Sequence, residues 1–306
     1  MASLKARILR VSIGLVLILL VSSLSAMGQE TPAEWKGVER VMGKAGAMQP
    51  GGVIKFSFPR SDLKVTVKGV AIKPALALGS WVAFKKMGDE VMAMGDLVLT
   101  EDEVSLVMFK LQQGGIEQSA LHNHVLGESP RVMYMHISAH GHANALAEVI
   151  HAVLALTATP MGAPTAAPPA QDLGIDTKQL DRIIGFAGKV NGGVYQFSVP
   201  RAEKIMEEGM EVPPAMGVAT AINFQPTGGG KAAITGDFVM TASEVNEVIR
   251  ALRANGIEVT ALHSHMLKEE PRLFFMHFWA NDDALKLAQG LRAALDKTNV
   301  AKAGSK

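Results

Sequence analysis

Cysteine is absent from the 306 residues. That excludes disulfides, thiolate metal sites, a lipid-modified cysteine and a cysteine nucleophile. Any transition-metal site must be built from His, carboxylates or Met. An excess of charge is also lacking: 30 Lys+Arg face 29 Asp+Glu, a formal net charge of +1 with no basic block, so no nucleic acid is expected as a partner. After residue 28 no apolar run is long enough to span a membrane. Hydrolase signatures are missing too. No G-X-S-X-G occurs, and "GGGKA" (228–232) lacks the spacing and the Ser/Thr of a phosphate-binding loop, so it reads as a turn.

The N-terminus carries an export pattern. Lys5, Arg7 and Arg10 precede the apolar "VSIGLVLILLV", and Ala26 and Gly28 suit cleavage before Gln29. At about a dozen residues the apolar stretch falls short of the ~20 needed to span a bilayer. Residues 1–28 are therefore expected to be a signal peptide, leaving a periplasmic or secreted protein without a stable membrane anchor.

The rest of the chain is a duplication. At an offset of 141, the distance from His122 to His263, "GGVIKFSFPR" meets "GGVYQFSVPR", "MGDLVLTEDEV" meets "TGDFVMTASEV" and "GGIEQSALHNH" meets "NGIEVTALHSH". The boundaries fall at 38–157 and 180–298, with a Pro/Ala-rich linker over 158–179. Within each unit, short β-branched or aromatic runs ("VIKFSFPR", "LKVTVKGVAI", "WVAFKK", "VMAMGDLVL") read as strands. Thr100 with Glu103, and Thr241 with Glu244, read as capping boxes that open helices. A hairpin and a second helix close each unit. The fold expected is α+β: two tandem homologous units, each a mostly antiparallel sheet with two helices, packed as a pseudo-dimer.

Six of the nine histidines fall at matched positions. His122 and His124 share a parity with His136, as His263 and His265 do with His277. A hairpin turning near Ser129 and Pro130 would set His122 opposite His136 and His124 opposite Tyr134. Directly opposed Cβ atoms lie about 4.5–5.5 Å apart, close enough for the imidazoles to share an ion. Three neutral imidazoles per repeat make a divalent-metal site with an open fourth position and Zn–N distances of about 2.0–2.1 Å. Zn²⁺, Cu²⁺ and Ni²⁺ all fit, zinc or copper being the first expectation. The bland alternative is a polar cross-strand cluster with each His satisfied by backbone or carboxylate. Met133 and Met135 have the opposite parity and read as core.

Other repeated polar residues admit two readings. Asp96 and Asp237, each after a Gly, could orient a ligand His from behind or close a turn. Arg60, Arg131, Arg201 and Arg272 could clamp an anion or serve as ion-pair partners. Glu128 and Glu269 complete a His-X-His-X-X-X-Glu spacing found in cupin jelly rolls, although the preceding helix does not fit that fold. With Tyr134 they are also the candidate acid/base residues. His140 and His142 match Asn281 and Asp283, which favour helix N-termini, and His151 reads as solvated.

The blocks "LGSWVAF", "MGDLVLTEDEV", "ALHNH…ESPRVMYMH" and the stretch from Gly256 to Thr298 resemble the LppY/LpqO family of bacterial exported proteins, over both repeats. That resemblance implies a tandem domain and export, and no activity. Family members described as lipoproteins carry a cysteine that this chain lacks. The sequence supports three readings: an exported metal-binding protein, a metal-dependent hydrolase or lyase, and a non-catalytic module for a small ligand or cell-wall fragment.

Overall fold

The computed structural model describes residues 31–162 and 172–302. The expected signal peptide lies outside the described residues, as does the middle of the expected linker. In the first repeat the chain runs α1 (Lys36–Met42), β1 (Ala47–Gln49), β2 (Val53–Pro59), β3 (Thr66–Val67), β4 (Val70–Ala71), α2 (Pro74–Ala77), β5 (Gly79–Met87), β6 (Glu90–Thr100), α3 (Glu101–Gln113), β7 (Glu117–His122), β8 (Glu128–Ser129), β9 (Val132–Gly141) and α4 (Ala143–Leu154). The second runs α5 (Thr177–Ile184), β10 (Lys189–Asn191), β11 (Val194–Pro200), β12 (Ile205–Glu207), β13 (Met210–Val212), β14 (Ala219–Gly228), β15 (Lys231–Met240), α6 (Ala242–Ala254), β16 (Glu258–His263), β17 (Glu269–Glu270), β18 (Phe274–Asp283) and α7 (Ala284–Leu295).

Each repeat builds one six-stranded antiparallel sheet, in the order β1-β2-β5-β6-β9-β7 and β10-β11-β14-β15-β18-β16. The two helices expected per unit are present, the first of each, α3 and α6, opened by the capping boxes at Thr100/Glu103 and Thr241/Glu244. A further helix stands before each sheet. α1 and α5 end on Gly43 and Gly185, whose φ of 68° and 84° only glycine adopts without strain. The run "LKVTVKGVAI" is not one strand. It turns at Lys68 and Gly69 into β3 and β4, which join β8 in a small sheet, as β12 and β13 join β17.

The central strand of each sheet is buried on both faces, which explains its near-continuous apolar run. From β6, Val91, Ala93, Leu97 and Leu99 pack under the helices of their own repeat. The opposite parity, Met92, Met94 and Val98, packs against the other repeat. One junction core combines Val53, Ala83, Met92 and Met94 with Ile205, Val212, Met216, Val239 and Phe275. A second combines Val65, Val67, Leu76, Val98 and Tyr134 with Val194, Ala233 and Trp279. The result is four layers, helices, sheet, sheet, helices, with the two sheets face to face.

The junction is pseudo-isologous: several of the contacts made by one repeat are returned by the other. Lys55 Nζ donates to Ala215 O (3.0 Å), and its counterpart Gln196 Nε2 donates to Ala75 O (2.7 Å). Ser119 Oγ donates to His265 O, and Thr260 Oγ1 to His124 O. The chain is thus a pseudo-dimer in one polypeptide.

Two buried arginines hold the strand-to-helix joints. Arg60 Nη1 donates to Val98 O (2.7 Å) and Glu103 (2.8 Å), and its Nε to Asp62. Arg201 repeats this with Val239 O (2.8 Å), Glu244 (2.7 Å) and Glu203. The same Glu103 and Glu244 accept from the N-cap amides of Thr100 and Thr241. Arg60→Ala would leave Glu103 without its countercharge and Val98 O without its donor, and should cost about 3 kcal/mol of unfolding free energy in urea titration. A loss under about 1 kcal/mol would mean the pair behaves as a surface ion pair.

Candidate metal centre

The register of the histidine hairpins differs from expectation by two residues. His122 lies opposite Tyr134 and Ala120 opposite His136, while His263 lies opposite Phe275 and Ala261 opposite His277. The turn is not tight: residues 123–131 form a loop that lends β8 to the small sheet, so β7 ends at His122 and His124 sits just beyond the strand. Parity survives a two-residue slip, so His122 and His136 still share a face.

That face meets its counterpart. The two triplets, expected to form separate sites, lie against each other at the junction. Three pairs of rings lie against each other, each pair taking one ring from each repeat: His122 stacked on His263 with centroids 3.6 Å apart, His136 stacked on His265 at 3.7 Å, and His124 tilted by 31° against His277 at 3.8 Å. Within repeats the rings stand farther apart. His122 is 5.2 and 5.1 Å from His124 and His136, and His263 is 5.0 and 4.9 Å from His265 and His277. Tyr134 and Phe275 close the two ends, stacked on His124 at 3.3 Å and His265 at 3.5 Å.

Hydrogen bonds fix how the rings face. His277 Nδ1 lies 2.7 Å from Gly236 O, His122 Nδ1 3.1 Å from Asn123 O, and His263 Nδ1 3.5 Å from Ser264 O. A carbonyl only accepts, so each of these Nδ1 atoms carries the proton and each Nε2 presents a lone pair. All six Nε2 atoms are buried with no hydrogen-bond partner. Ligand atoms of His122, His263, His265 and His277 all lie within 4.8 Å of one another.

Two carboxylates border the rings. Asp96 is opposite His136 across β6 and β9, and Asp237 opposite His277 across β15 and β18. Asp96 oxygens lie 3.8 Å from His124 Nε2 and 4.0 Å from His136 Nε2. Asp237 Oδ2 is 3.1 Å from His265 Nε2, near in distance but not aligned for a hydrogen bond. The glycines before them are required by space: a Cβ at Gly95 would sit 2.8 Å from Trp81 O, and at Gly236 1.9 Å from Ala221 O. Burial, then the charge of Asp237, pushes the Asp96 carboxyl up to about 8, against the pull of Lys55. Burial likewise lowers His122 and His263 to about 4 and His277 to about 3, and holds His124, His136 and His265 well below the ordinary imidazole value. At neutral pH all six imidazoles are therefore neutral, the form that binds metals.

The remaining candidates lie elsewhere. Arg60 and Arg201 commit their donors to the ion pairs at the strand-to-helix joints, so an anion clamp there is not formed. Arg131 is exposed, 3.6 Å from Glu101. Arg272 ties down the loop that carries His265, bonding Ser264 Oγ, Met266 O and Glu269. Glu269 also accepts from Leu273 N (3.0 Å), and Glu128 pairs with Val67 in the small sheet. Neither joins the cluster, and the two packed sheets are not a jelly roll. Of the three candidate acid/base groups only Tyr134 touches an imidazole, and burial raises its hydroxyl well above the ordinary value.

The bystander residues sort by position. His142 occupies the N-cap of α4 without a capping bond, whereas its match Asp283 caps Lys286 N. His140 is in β9, 3.6 Å from Glu208. Met135 is buried in the core beneath the helices, on the face away from the cluster. Lys55 is a neighbour of the site that sequence reasoning missed. It lies over the Trp81 ring at 3.8 Å, and burial lowers its ammonium to about 8. An apolar-flanked Lys in a strand was its only signal.

A family model described as Domain of Unknown Function (DUF1259) matches residues 36–156 and 178–297. No curated protein matches the chain. Among solved structures, a trimeric bacterial microcompartment shell protein PduB aligns over 84% of this chain and 96% of its own, at 12% identity and a TM-score of 0.22. So low a score implies nothing about fold or function.

Glu207, paired with Glu269 across β12 and β17, gives a pH signature. Its Oε2 is buried without a partner, and burial, with Glu269 and Glu208 nearby, raises the carboxyl to about 7. A carboxyl raised on folding holds its proton better in the native state, so its contribution is present near pH 4.5 and is lost as pH rises through 7. Glu207→Gln should therefore gain about 1–3 kcal/mol over wild type at pH 8. In chemical denaturation the gain should shrink towards zero near pH 4.5; a difference independent of pH would contradict this account.

Proposed function

The chain belongs to the DUF1259 family, which brings no activity with it, and we propose from the site itself that the protein binds one divalent transition-metal ion at the junction of its repeats. One observation carries this reading. Six imidazole Nε2 atoms, with Oδ1 of Asp96 and of Asp237, are buried together without a hydrogen-bond partner. Each such group costs roughly 1–3 kcal/mol when left unpaired. A cation is the partner that suits lone pairs converging from several sides, and His122, His263, His265 and His277 come close enough to share one. Because the donors come from both repeats, neither repeat alone has the site.

Export is part of the proposal. It is supported by the basic, apolar and small-residue order of residues 5–28 and by the narrower resemblance to the LppY/LpqO exported proteins. Among the described residues no helix is long and apolar enough to cross a membrane. A hydrolase or lyase reading draws on one asymmetry, Tyr134 against His124 where the second repeat has Phe275 against His265. It predicts turnover of an ester, amide or similar bond that Tyr134→Phe abolishes. A small-ligand or cell-wall module has less support, since Arg60 and Arg201 are already paired.

Elemental analysis after dialysis against mixed divalent ions tests the proposal. About one ion per chain is expected, falling to near zero in His122→Ala/His263→Ala. Substoichiometric metal, or a content those substitutions do not change, would reject it.

A further inference from the structure

The four histidines that can share an ion do not account for the cluster. His124 and His136 lie outside that group, yet their Nε2 atoms are equally buried and unpartnered. His124 lies against His277 and His136 is stacked on His265, two members of the four. The six rings form two sets of three, one from each repeat: His122 and His263 stand 4.9–5.2 Å from the other two rings of their own set, and three pairs with centroids 3.6–3.8 Å apart join the sets.

Resting on the metal-binding reading, we infer that the centre is six-coordinate: all six imidazoles bind a single divalent ion, which is of the class that takes six ligands, with Ni²⁺, Co²⁺ or Fe²⁺ ahead of Zn²⁺ or Cu²⁺. A four-histidine site would leave the Nε2 atoms of His124 and His136 buried and unpaired. The pseudo-two-fold relation also disfavours it, because His122, His263, His265 and His277 contain one residue of the first repeat and three of the second. Six equivalent donors restore that symmetry.

Repulsion sets the number of ions at one. Six neutral imidazoles bring no charge, and two divalent ions among them would face each other in a buried place with Asp96 and Asp237 only at its border.

Ligand chemistry sets the class of ion. Structural Zn²⁺ is almost always four-coordinate and tetrahedral, and Cu²⁺ prefers tetragonal sites. Imidazole suits iron and nickel as well, and affinity rises from Fe²⁺ through Co²⁺ to Ni²⁺, so a six-nitrogen cage should hold Ni²⁺ most tightly of the three. Full coordination has a functional consequence. No position is left at which bound water could be activated, so the centre retains an ion rather than hydrolysing a substrate.

The test is X-ray absorption on full-length wild-type protein loaded in turn with Ni²⁺, Co²⁺ and Zn²⁺, joined to competition binding for wild type, His124→Ala and His136→Ala. Expected are one ion per chain, six nitrogen neighbours around Ni²⁺, and a loss of Ni²⁺ affinity on the order of tenfold or more in each variant. One ion with four nitrogens, and affinity unchanged in both variants, would overturn the six-coordinate centre while leaving metal binding intact. Two ions per chain would overturn it as well. No ion bound by the wild type would remove both. The wild-type coordination number needs no variant, so misfolding of either substituted protein leaves the test decisive.

Discussion

The structure depends on the stacking of His122 on His263, residues that hold the same place in the two repeats and meet where the sheets face each other. Residues so related can touch only if the local two-fold axis passes between them. Reciprocal pairs surround it: His124 with His277 and His136 with His265, Ser119 and Thr260 on opposite carbonyls, Lys55 and Gln196 on opposite turns. Apolar clusters flank the imidazoles on either side. A polar centre is thus enclosed by apolar packing that neither repeat could supply alone.

Such a centre is costly without a partner. Burial lowers the proton affinity of all six imidazoles and raises that of both carboxylates, so protonation of the rings at neutral pH does not relieve it. Backbone carbonyls hold the Nδ1 protons of His122, His263 and His277, which commits their other nitrogens to the interior. An ion bound there would join the repeats as well as satisfy the donors, coupling metal affinity to the stability of the junction. The small sheets built by β3, β4 and β8, and by β12, β13 and β17, brace the loops that carry His124 and His265.

Much of this was legible in the sequence, because duplication and parity are properties of residue order. The repeat offset identified the six histidines, both aspartates and both capping boxes, and alternation separated Met135 from His136. What order could not supply was which face of one repeat meets which face of the other. A signal was present: β6 carries apolar residues at both parities between Val91 and Leu99, and the face of the second hairpin that carries its histidines also carries Leu273 and Trp279, so each sheet had to be covered twice. The hairpin register slipped because Glu128 and Ser129 pair with Thr66 and Val67, distant in sequence, instead of turning tightly. Helices α1 and α5 are short, marked by their C-terminal glycines and, for α5, by the N-cap Asp176.

The central claim is a single ion shared by both repeats. Anomalous diffraction from crystals of Ni²⁺-loaded protein, recorded on either side of the nickel absorption edge, tests it most directly. The account predicts one strong peak between the stacked pairs, reached by Nε2 atoms of His122, His124, His136, His263, His265 and His277. Two peaks, one on each repeat's own triplet, or no peak within the cluster, would contradict it.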